Sequence, residues 1–275
     1  MSAADPSEAI GTIDHIVIAV GDLARAADIY CRLGFTLSPK GVHSATLGTA
    51  NHTIMLRHDY FELLTVAAPT ERNAFWREAI ANGGGVAGLA FTTIDPPAAR
   101  DYWLAAGLAP EDPIEFSRAV PRPDGRSLEA RFEVVSLARM PGTNLRLFVC
   151  SQPTRDAVWL PELLDHPNTA VAIRRLILSC PDPEFSAAQW GRALPAAREM
   201  KTASGKRLHT GQHAIDFVRA NVARVEALGI DYAVADLDAC RAALTRGAIA
   251  WREQGARIEV VSAAACDVAI GFTAG

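Results

Sequence analysis

Apolar residues along the chain recur in four short strand-like runs, each of which leads into an aspartate. The runs are residues 15–22, 88–95, 175–182 and 229–236, and their last residues are Asp22, Asp95, Asp182 and Asp236. An alanine-rich stretch with apolar residues at helical spacing follows each aspartate. Because an aspartate at the N-cap accepts hydrogen bonds from the first turn of a helix, the pattern predicts the same strand–helix element four times.

Glycines follow three of the four predicted helices, at Gly34, Gly107 and Gly247, where glycine can adopt the left-handed conformation of a helix end. Further strand-like segments follow each predicted helix along the chain. They are residues 53–57 and 60–66, 129–137 and 144–150, 206–210 and 213–218, and 257–261 and 268–272. The repeated unit is therefore a strand, a helix and two or three antiparallel strands. His209 and His213 flank a predicted hairpin turn and are expected to face solvent.

A unit of this size cannot bury its sheet alone, so the units should pair. The sequence predicts an α+β fold of four βαβββ units, paired into two cup-shaped domains with mixed sheets. The N-terminal domain is expected at residues 1–152 (units at about 12–67 and 84–152) and the C-terminal domain at 170–275 (units at about 170–220 and 228–274). The linker, 153–169, contains Trp159 and several leucines and is predicted to pack against a domain.

Composition excludes several classes of protein. The 275 residues are 49% hydrophobic and carry a net charge of −4, with no basic stripe that would bind nucleic acid. The apolar runs are too short to cross a bilayer, and the first residues do not have the pattern of a secretory signal. Five cysteines without a Cys-x-x-Cys pair argue against a disulfide framework. We therefore predict a cytoplasmic protein without nucleic-acid or membrane partners.

Four segments have a recognisable pattern: Ile-Asp-His-Ile-Val-Ile-Ala-Val-Gly-Asp-Leu at 13–23, Gly-Thr-Ala-Asn at 48–51, Tyr-Phe-Glu-Leu-Leu at 60–64 and His-Pro-Asn at 166–168. They resemble the vicinal oxygen chelate superfamily, and in particular its glyoxalase-like domain subgroup. The superfamily includes glyoxalase I, extradiol ring-cleaving dioxygenases and bleomycin-binding proteins. The resemblance implies the fold predicted above, but it does not name a reaction, because one fold hosts many.

In this superfamily, metal ligands lie at the start of the first strand and on the last strand of a unit. Registering the units on their aspartates places these positions at His15 and Glu62 in unit one, and at Gly88 and Arg146 in unit two. Units three and four then have Arg175 and Asp216, and Gly229 and Gly271. The resemblance thus implies a divalent metal (Zn, Fe, Mn or Ni) held by His15 and Glu62. The C-terminal half is predicted to be metal-free and inert.

Six residues are predicted to bind substrate: His15, His43, Asn51, Glu62, Arg146 and His166. Glu62 lies in an apolar strand and needs a partner, and Arg146 is expected opposite it as a salt bridge or an anion clamp. His43 and Asn51 bracket a glycine turn that is expected to face the substrate. His166 is expected either to cap the third unit or to line a pocket.

The leading hypothesis is a glyoxalase-like protein that binds a small anionic or vicinal-oxygen-bearing molecule in the N-terminal cup. Its chemistry would be that of a metal-assisted lyase, isomerase or dioxygenase, with the ion polarising substrate oxygens. The alternative is a non-catalytic protein that binds or sequesters a small molecule without metal, which the missing ligands favour. A third reading is that one half is purely structural and serves to form a homodimer.

Overall fold

The computed structural model describes residues 9–121, 126–138, 140 and 142–275. Its first half contains β1 (Ile13–Ala19), α1 (Leu23–Arg32), β2 (Gly41–Val42), β3 (Thr49–Met55), β4 (Tyr60–Val66), α2 (Ala74–Ala81), β5 (Gly85–Thr92), α3 (Pro96–Ala105), β6 (Ile114–Pro121), β7 (Ser127–Ser136) and β8 (Arg146–Ser151). The second half contains β9 (Ala170–Cys180), α4 (Pro183–Ala193), β10 (Arg198–Thr202), β11 (Gly205–Thr210), β12 (His213–Arg219), β13 (Glu226–Val234), α5 (Leu237–Arg246), β14 (Trp251–Gln254), β15 (Arg257–Val260) and β16 (Ala269–Ala274).

The strands form two eight-stranded mixed sheets with the same topology. Their orders are β2-β3-β4-β1-β5-β8-β7-β6 and β10-β11-β12-β9-β13-β16-β15-β14. In each unit the first strand pairs in parallel with the last, as β1 does with β4. The two first strands of a half pair antiparallel at the centre, as β1 does with β5. This arrangement confirms the α+β fold of four βαβββ units.

Each unit has three strands after its helix, where the sequence suggested two or three. The missed strands are β2, β6, β10 and β14. β10 and β14 consist largely of charged, exposed residues and so lack an apolar alternation that would reveal them. Helix α2, between units one and two, was also not predicted. No helix in the described part of the chain is long and apolar enough to cross a membrane.

The four aspartates begin helices as predicted. Asp22 and Asp95 each accept a hydrogen bond from a first-turn N–H at 2.9 Å, and Asp182 and Asp236 each accept two. Gly34 and Gly107 adopt the left-handed conformation, with φ of +84° and +72°.

Gly247 departs from the prediction. Its φ is −74°, and the left-handed residue is Ala248, with φ of 52°. Gly247 is required by a close approach instead, because a Cβ there would lie 1.8 Å from the carbonyl oxygen of Arg32 at the end of α1.

Alternate residues of the first sheet face two different environments. Ile16 and Ile18 of β1 face a core that also contains Leu176 and Tyr232 of the second half, whereas Val17 faces the concave side of its own sheet. The rings of Phe61 and Tyr232 are 5.1 Å apart across this shared core. The division into two domains at 153–169 stays a prediction, since the two halves share their core.

His213 is fully buried, contrary to the expectation that it faces solvent. Its Nε2 lies 2.9 Å from the carboxylate of Asp59, whose other oxygen accepts the N–H of Ile173 at 2.9 Å. The reason is tertiary: the β11–β12 turn of the second half packs against the β3–β4 turn of the first. A sequence pattern cannot show that two turns will cover each other.

The linker packs against the concave side of the first sheet. Leu160 and Leu163 are buried there, and the indole N–H of Trp159 donates to the carbonyl of Leu56 at 3.0 Å. These residues of the linker therefore belong to the apolar cluster on the concave side of the first sheet.

Candidate functional site

The concave face of the first sheet encloses a cavity of about 140 Å³. Because side chains alternate along a strand, every second residue of β3, β4, β6, β7 and β8 points into it. The polar side chains on its wall include His15, His43, Asn51, Glu62 and Arg146. Five of the six predicted binding residues are thus brought together, while their role in binding stays a prediction.

His15 lies on the cavity wall and forms a hydrogen-bonded pair with the neighbouring Asp14. The register of β1 against β5 shifts between Ile13 and His15, and this bulge lets two successive side chains meet. His15 Nδ1 lies 2.7 Å from Asp14 Oδ2, and both residues are buried. Since the carboxylate accepts, the proton belongs on Nδ1, and Nε2 is left as a proton acceptor.

Two further contacts fix this pair. The His15 ring stacks on Tyr60 with centroids 4.3 Å apart and planes inclined by 20°. Asp14 also accepts a hydrogen bond from Gln152 Nε2 at 2.7 Å. Sequence reasoning missed Asp14, because regular strand alternation places it on the opposite face from His15 and nothing in the sequence marks the bulge.

Glu62 is held by Asn51 and not by an arginine. The amide of Asn51 donates to Glu62 Oε2. Arg118 on β6, which the sequence did not single out, lines the same cavity. Burial lowers the pKa of Arg118, an effect that nearby Tyr60 and Glu62 oppose.

His43 lies on the same wall. Its Nδ1 is 2.7 Å from the Thr49 hydroxyl, and its ring meets Phe116 edge-on at 5.9 Å. Burial lowers the pKa of His43, and Glu62 partly counteracts this. The imidazole is therefore favoured in its neutral form.

The expected bridge between Arg146 and Glu62 is wrong. Arg146 forms an ion pair with Glu111 and lies over the ring of Phe75, 5.6 Å from its centre. Its guanidinium is therefore already engaged.

The register explains the difference. Arg146 pairs with Gly88 as Tyr60 pairs with His15, so Arg146 corresponds to Tyr60. Phe148, two residues on, therefore occupies the position of Glu62. Aligning linear sequence across loops of unequal length could not fix this two-residue offset.

The sixth predicted residue, His166, lies outside the cavity lining. It is buried, its Nδ1 accepts the N–H of Thr36 at 3.0 Å, and its Nε2 donates to the carbonyl of Met55 at 2.8 Å. Burial lowers the pKa of His166, which favours the neutral ring that can make both contacts. Its contacts anchor the linker to the first half.

The two positions predicted to ligate a metal, His15 and Glu62, both line the cavity. The corresponding positions of unit two are Gly88 and Phe148, which offer no ligand atom. These four positions together supply two protein donors, whereas catalytic zinc sites use three.

Asp14, His15 and Cys150 form a second donor set, with ligand atoms within 4.8 Å of one another. Asp14 and His15 are hydrogen-bonded to each other, however, and an Arg155 nitrogen lies 4.0 Å from Asp14. Burial, together with the charges of Asp14 and Glu62, raises the pKa of the Cys150 thiol well above its usual value. The set has enough donors for a cation, but its arrangement fits a hydrogen-bonded acid–base pair better than a tightly held ion.

A sequence model of the glyoxalase-like domain family matches residues 13–194. The match spans units one and two, the linker and the first strand and helix of unit three. The chain belongs to the glyoxalase-like domain family. No curated protein sequence matches it.

Solved structures resemble the chain over nearly its whole length. A hypothetical protein from Staphylococcus aureus matches with a TM-score of 0.70 and 13% identity, covering 96% of this chain and 99% of that one. A triple mutant of 4-hydroxymandelate synthase from Streptomyces coelicolor matches with a TM-score of 0.63 and 12% identity, over 96% and 92%. A xylose isomerase-like TIM barrel/4-hydroxyphenylpyruvate dioxygenase fusion protein matches with 0.61 and 12%, over 98% and 50%. At 12–13% identity, these likenesses show that the chain shares the fold of these structures.

Proposed function

We propose that this glyoxalase-like protein binds a small anionic molecule with vicinal oxygens in the N-terminal cup, where His15 transfers a proton. The observation that carries the proposal is that His15 lines the cavity and is hydrogen-bonded at 2.7 Å to the buried Asp14. A carboxylate that accepts from Nδ1 orients the ring, fixes its tautomer and stabilises the imidazolium formed when Nε2 takes a proton.

The arginines around the cavity support an anionic ligand. Arg72 and Arg118 line it, as does Arg146, which is paired with Glu111. An anion next to His15 would also stabilise the protonated imidazole after the transfer. Proton transfer next to a carbonyl is chemistry of the isomerase or lyase type, and the Asp14–His15 pair can support it without an electron acceptor.

Hydrogen–deuterium exchange tests the proposal without requiring the physiological substrate. Small 2-oxo acids and α-hydroxyketones are incubated with the protein in heavy water, after dialysis against a chelator, and loss of the C–H signal next to the carbonyl is followed by proton NMR. We expect the protein to accelerate exchange and His15→Gln to reduce the acceleration about 100-fold or more. His58→Gln is the matched control, since His58 is exposed.

Equal exchange by wild type and His15→Gln would contradict the assignment of His15. Exchange that disappears on chelation and returns with added metal would favour the metal-assisted reading.

A non-catalytic binding protein is the second candidate. It is favoured by Gly88 and Phe148, which leave unit two without an acid, base or ligand at the positions that match His15 and Glu62. In that case wild type and His15→Gln would both bind the same compounds, and neither would accelerate hydrogen–deuterium exchange.

A further inference from the structure

Three arginines line the N-terminal cavity, and they differ in what already engages them. Arg146 is paired with Glu111, and Arg72 is exposed to water at the mouth. Arg118 is partly buried and makes no ion pair with any carboxylate in the described part of the chain. Among the three arginines of the cavity, Arg118 is therefore the one that is partly buried and not paired with a described carboxylate.

Arg118 points inward because of the alternation of β6. Ile114, Phe116 and Arg118 line the cavity, while Glu115 and Ser117 between them are exposed. Pairing with β7 places Phe116 opposite Phe132, and the guanidinium carbon of Arg118 lies 5.9 Å from the Phe132 ring centre. The cation therefore lies at the edge of an aromatic wall.

The side-chain oxygen of Asn51, which lies near Arg118, is a second polar group with hydrogen-bonding capacity left for a ligand. Asn51 is 3% exposed, and its Oδ1 has no hydrogen-bond partner among the residues described. A Cβ on Gly41 would lie 2.5 Å from this oxygen and 3.4 Å from Arg118 Nη1. Glycine at position 41 therefore leaves room for both, and the two groups define a polar end of the cavity.

The rest of the cavity has the size and lining suited to a ring. Phe116 and Phe132 stack with centroids 5.0 Å apart and planes inclined by 20°, and Trp76 and Phe148 also contribute to the wall. The volume of about 140 Å³ is close to that of an apolar protein cavity of about 150 Å³ that accommodates benzene.

We infer that Arg118 is the anion-recognition residue of the cup and that its ligand is a ring-sized monocarboxylate. The planar guanidinium forms paired hydrogen bonds with the carboxylate, and the ring lies along the wall of Phe116 and Phe132. This inference rests on the proposed function in placing the ligand in the N-terminal cup, and it adds the chemical class and the residue that selects it.

Calorimetric titration with benzoate, and with benzamide as its neutral analogue of the same shape, tests the inference. We expect wild type to bind benzoate at least about tenfold more tightly than benzamide, because only benzoate can form the charge-assisted pair. Arg118→Gln should weaken benzoate binding at least about tenfold and remove the preference, and Arg118→Lys should restore part of it, since lysine keeps the charge without the fork. Arg131→Gln on β7 is the matched control, because this arginine is exposed and pairs with Glu129.

Circular dichroism and thermal unfolding establish that each variant is folded, and the Lys variant preserves the test should Gln destabilise β6. Benzoate binding that is equal in wild type and Arg118→Gln would overturn the inference, as would the absence of benzoate binding by wild type at millimolar concentration. Neither result removes the proposed function, which depends on the exchange catalysed by His15. Conversely, benzoate binding governed by Arg118 without any exchange would support this inference and remove the proton transfer.

Discussion

The two cups of the molecule share one topology but differ in the charged residues that face them and in how those residues are paired. Arg175 of β9 occupies the position of His15, and Asp216 of β12 that of Glu62. Asp231 faces Arg175 across the central pair of strands, where Ala90 faces His15 in the first half. The second cup therefore has three charged residues where the first has an imidazole, a carboxylate and a methyl group.

These charges satisfy one another. Arg175 donates to Asp216 at 3.1 Å and also binds Asp231. Arg257 donates to Asp231 at 2.8 Å, and Arg207 donates to Asp216 at 2.7 Å. Each carboxylate thus pairs with two guanidinium groups. The side chains of Asp216 and Asp231 are 6% and 2% exposed. These ion pairs join Asp216 and Asp231 into one network through Arg175.

Comparing the two cups shows where the fold can gain free energy by binding a ligand. A buried charge is costly unless it has a partner. In the second cup the partners come from the chain, so little is gained by adding a ligand. In the first cup, Arg118 has no carboxylate partner and Asn51 Oδ1 no hydrogen-bond partner among the described residues, and a ligand can supply them.

The largest effect that tests this comparison is expected for Asp231→Asn. The change leaves Arg175 and Arg257 beside a neutral amide, and breaking a buried ion pair costs roughly 3–5 kcal/mol. The free energy of unfolding from urea denaturation should fall by that order, while benzoate binding in the first cup is unchanged. Asp238→Asn is the control, because the Asp238 side chain is 91% exposed. A loss below about 1 kcal/mol would show that the network does not stabilise the second cup.

Glu62→Gln should change ligand affinity and leave stability nearly unchanged, which is the reverse of the result expected for Asp231→Asn. Glu62 accepts from the Asn51 amide, and glutamine retains an acceptor oxygen, so we expect the free energy of unfolding to change by less than about 1 kcal/mol. Benzoate affinity should increase about three- to tenfold, because the variant removes a negative charge that competes for Arg118. Calorimetric titration and urea denaturation measure both effects. Weaker benzoate binding would show that Glu62 contacts the ligand or a metal directly.

The smallest expected effect is on the pH dependence of stability, to which the two cups should contribute in different pH ranges. Burial lowers the pKa of His43 from its usual 6.5, so the unfolded chain takes up the proton first and stability falls as the pH drops below that value. Hydrogen bonds from Arg252 and Arg257 lower the pKa of Glu259 from 4.5, so its contribution is present above pH 4.5 and is lost as the pH falls through the folded-state value.

Urea midpoints measured from pH 7 to pH 3 check this. His43→Gln should flatten the upper part of the curve, and Glu259→Gln the lower part. If either variant flattens the other range, the two cups do not titrate separately.

Much of the fold could be predicted from local sequence. Asp22, Asp95, Asp182 and Asp236 were correct helix starts because an N-cap needs only the residue and the turn that follows it. The edge strands could not be predicted in the same way. β10 and β14 are held by pairing to a neighbouring strand, and their own residues carry no apolar alternation.

Local sequence was sufficient to predict the four repeated units, the helix starts and the inward faces of β1 and β4, because capping and alternation are properties of neighbouring residues. Which polar groups meet depends on the tertiary structure. A bulge joined Asp14 to His15, a two-residue offset moved Arg146 away from Glu62, and the edge strand β6 supplied Arg118. These outcomes depend on strand register and on contacts between distant segments, and no local pattern in the chain encodes them.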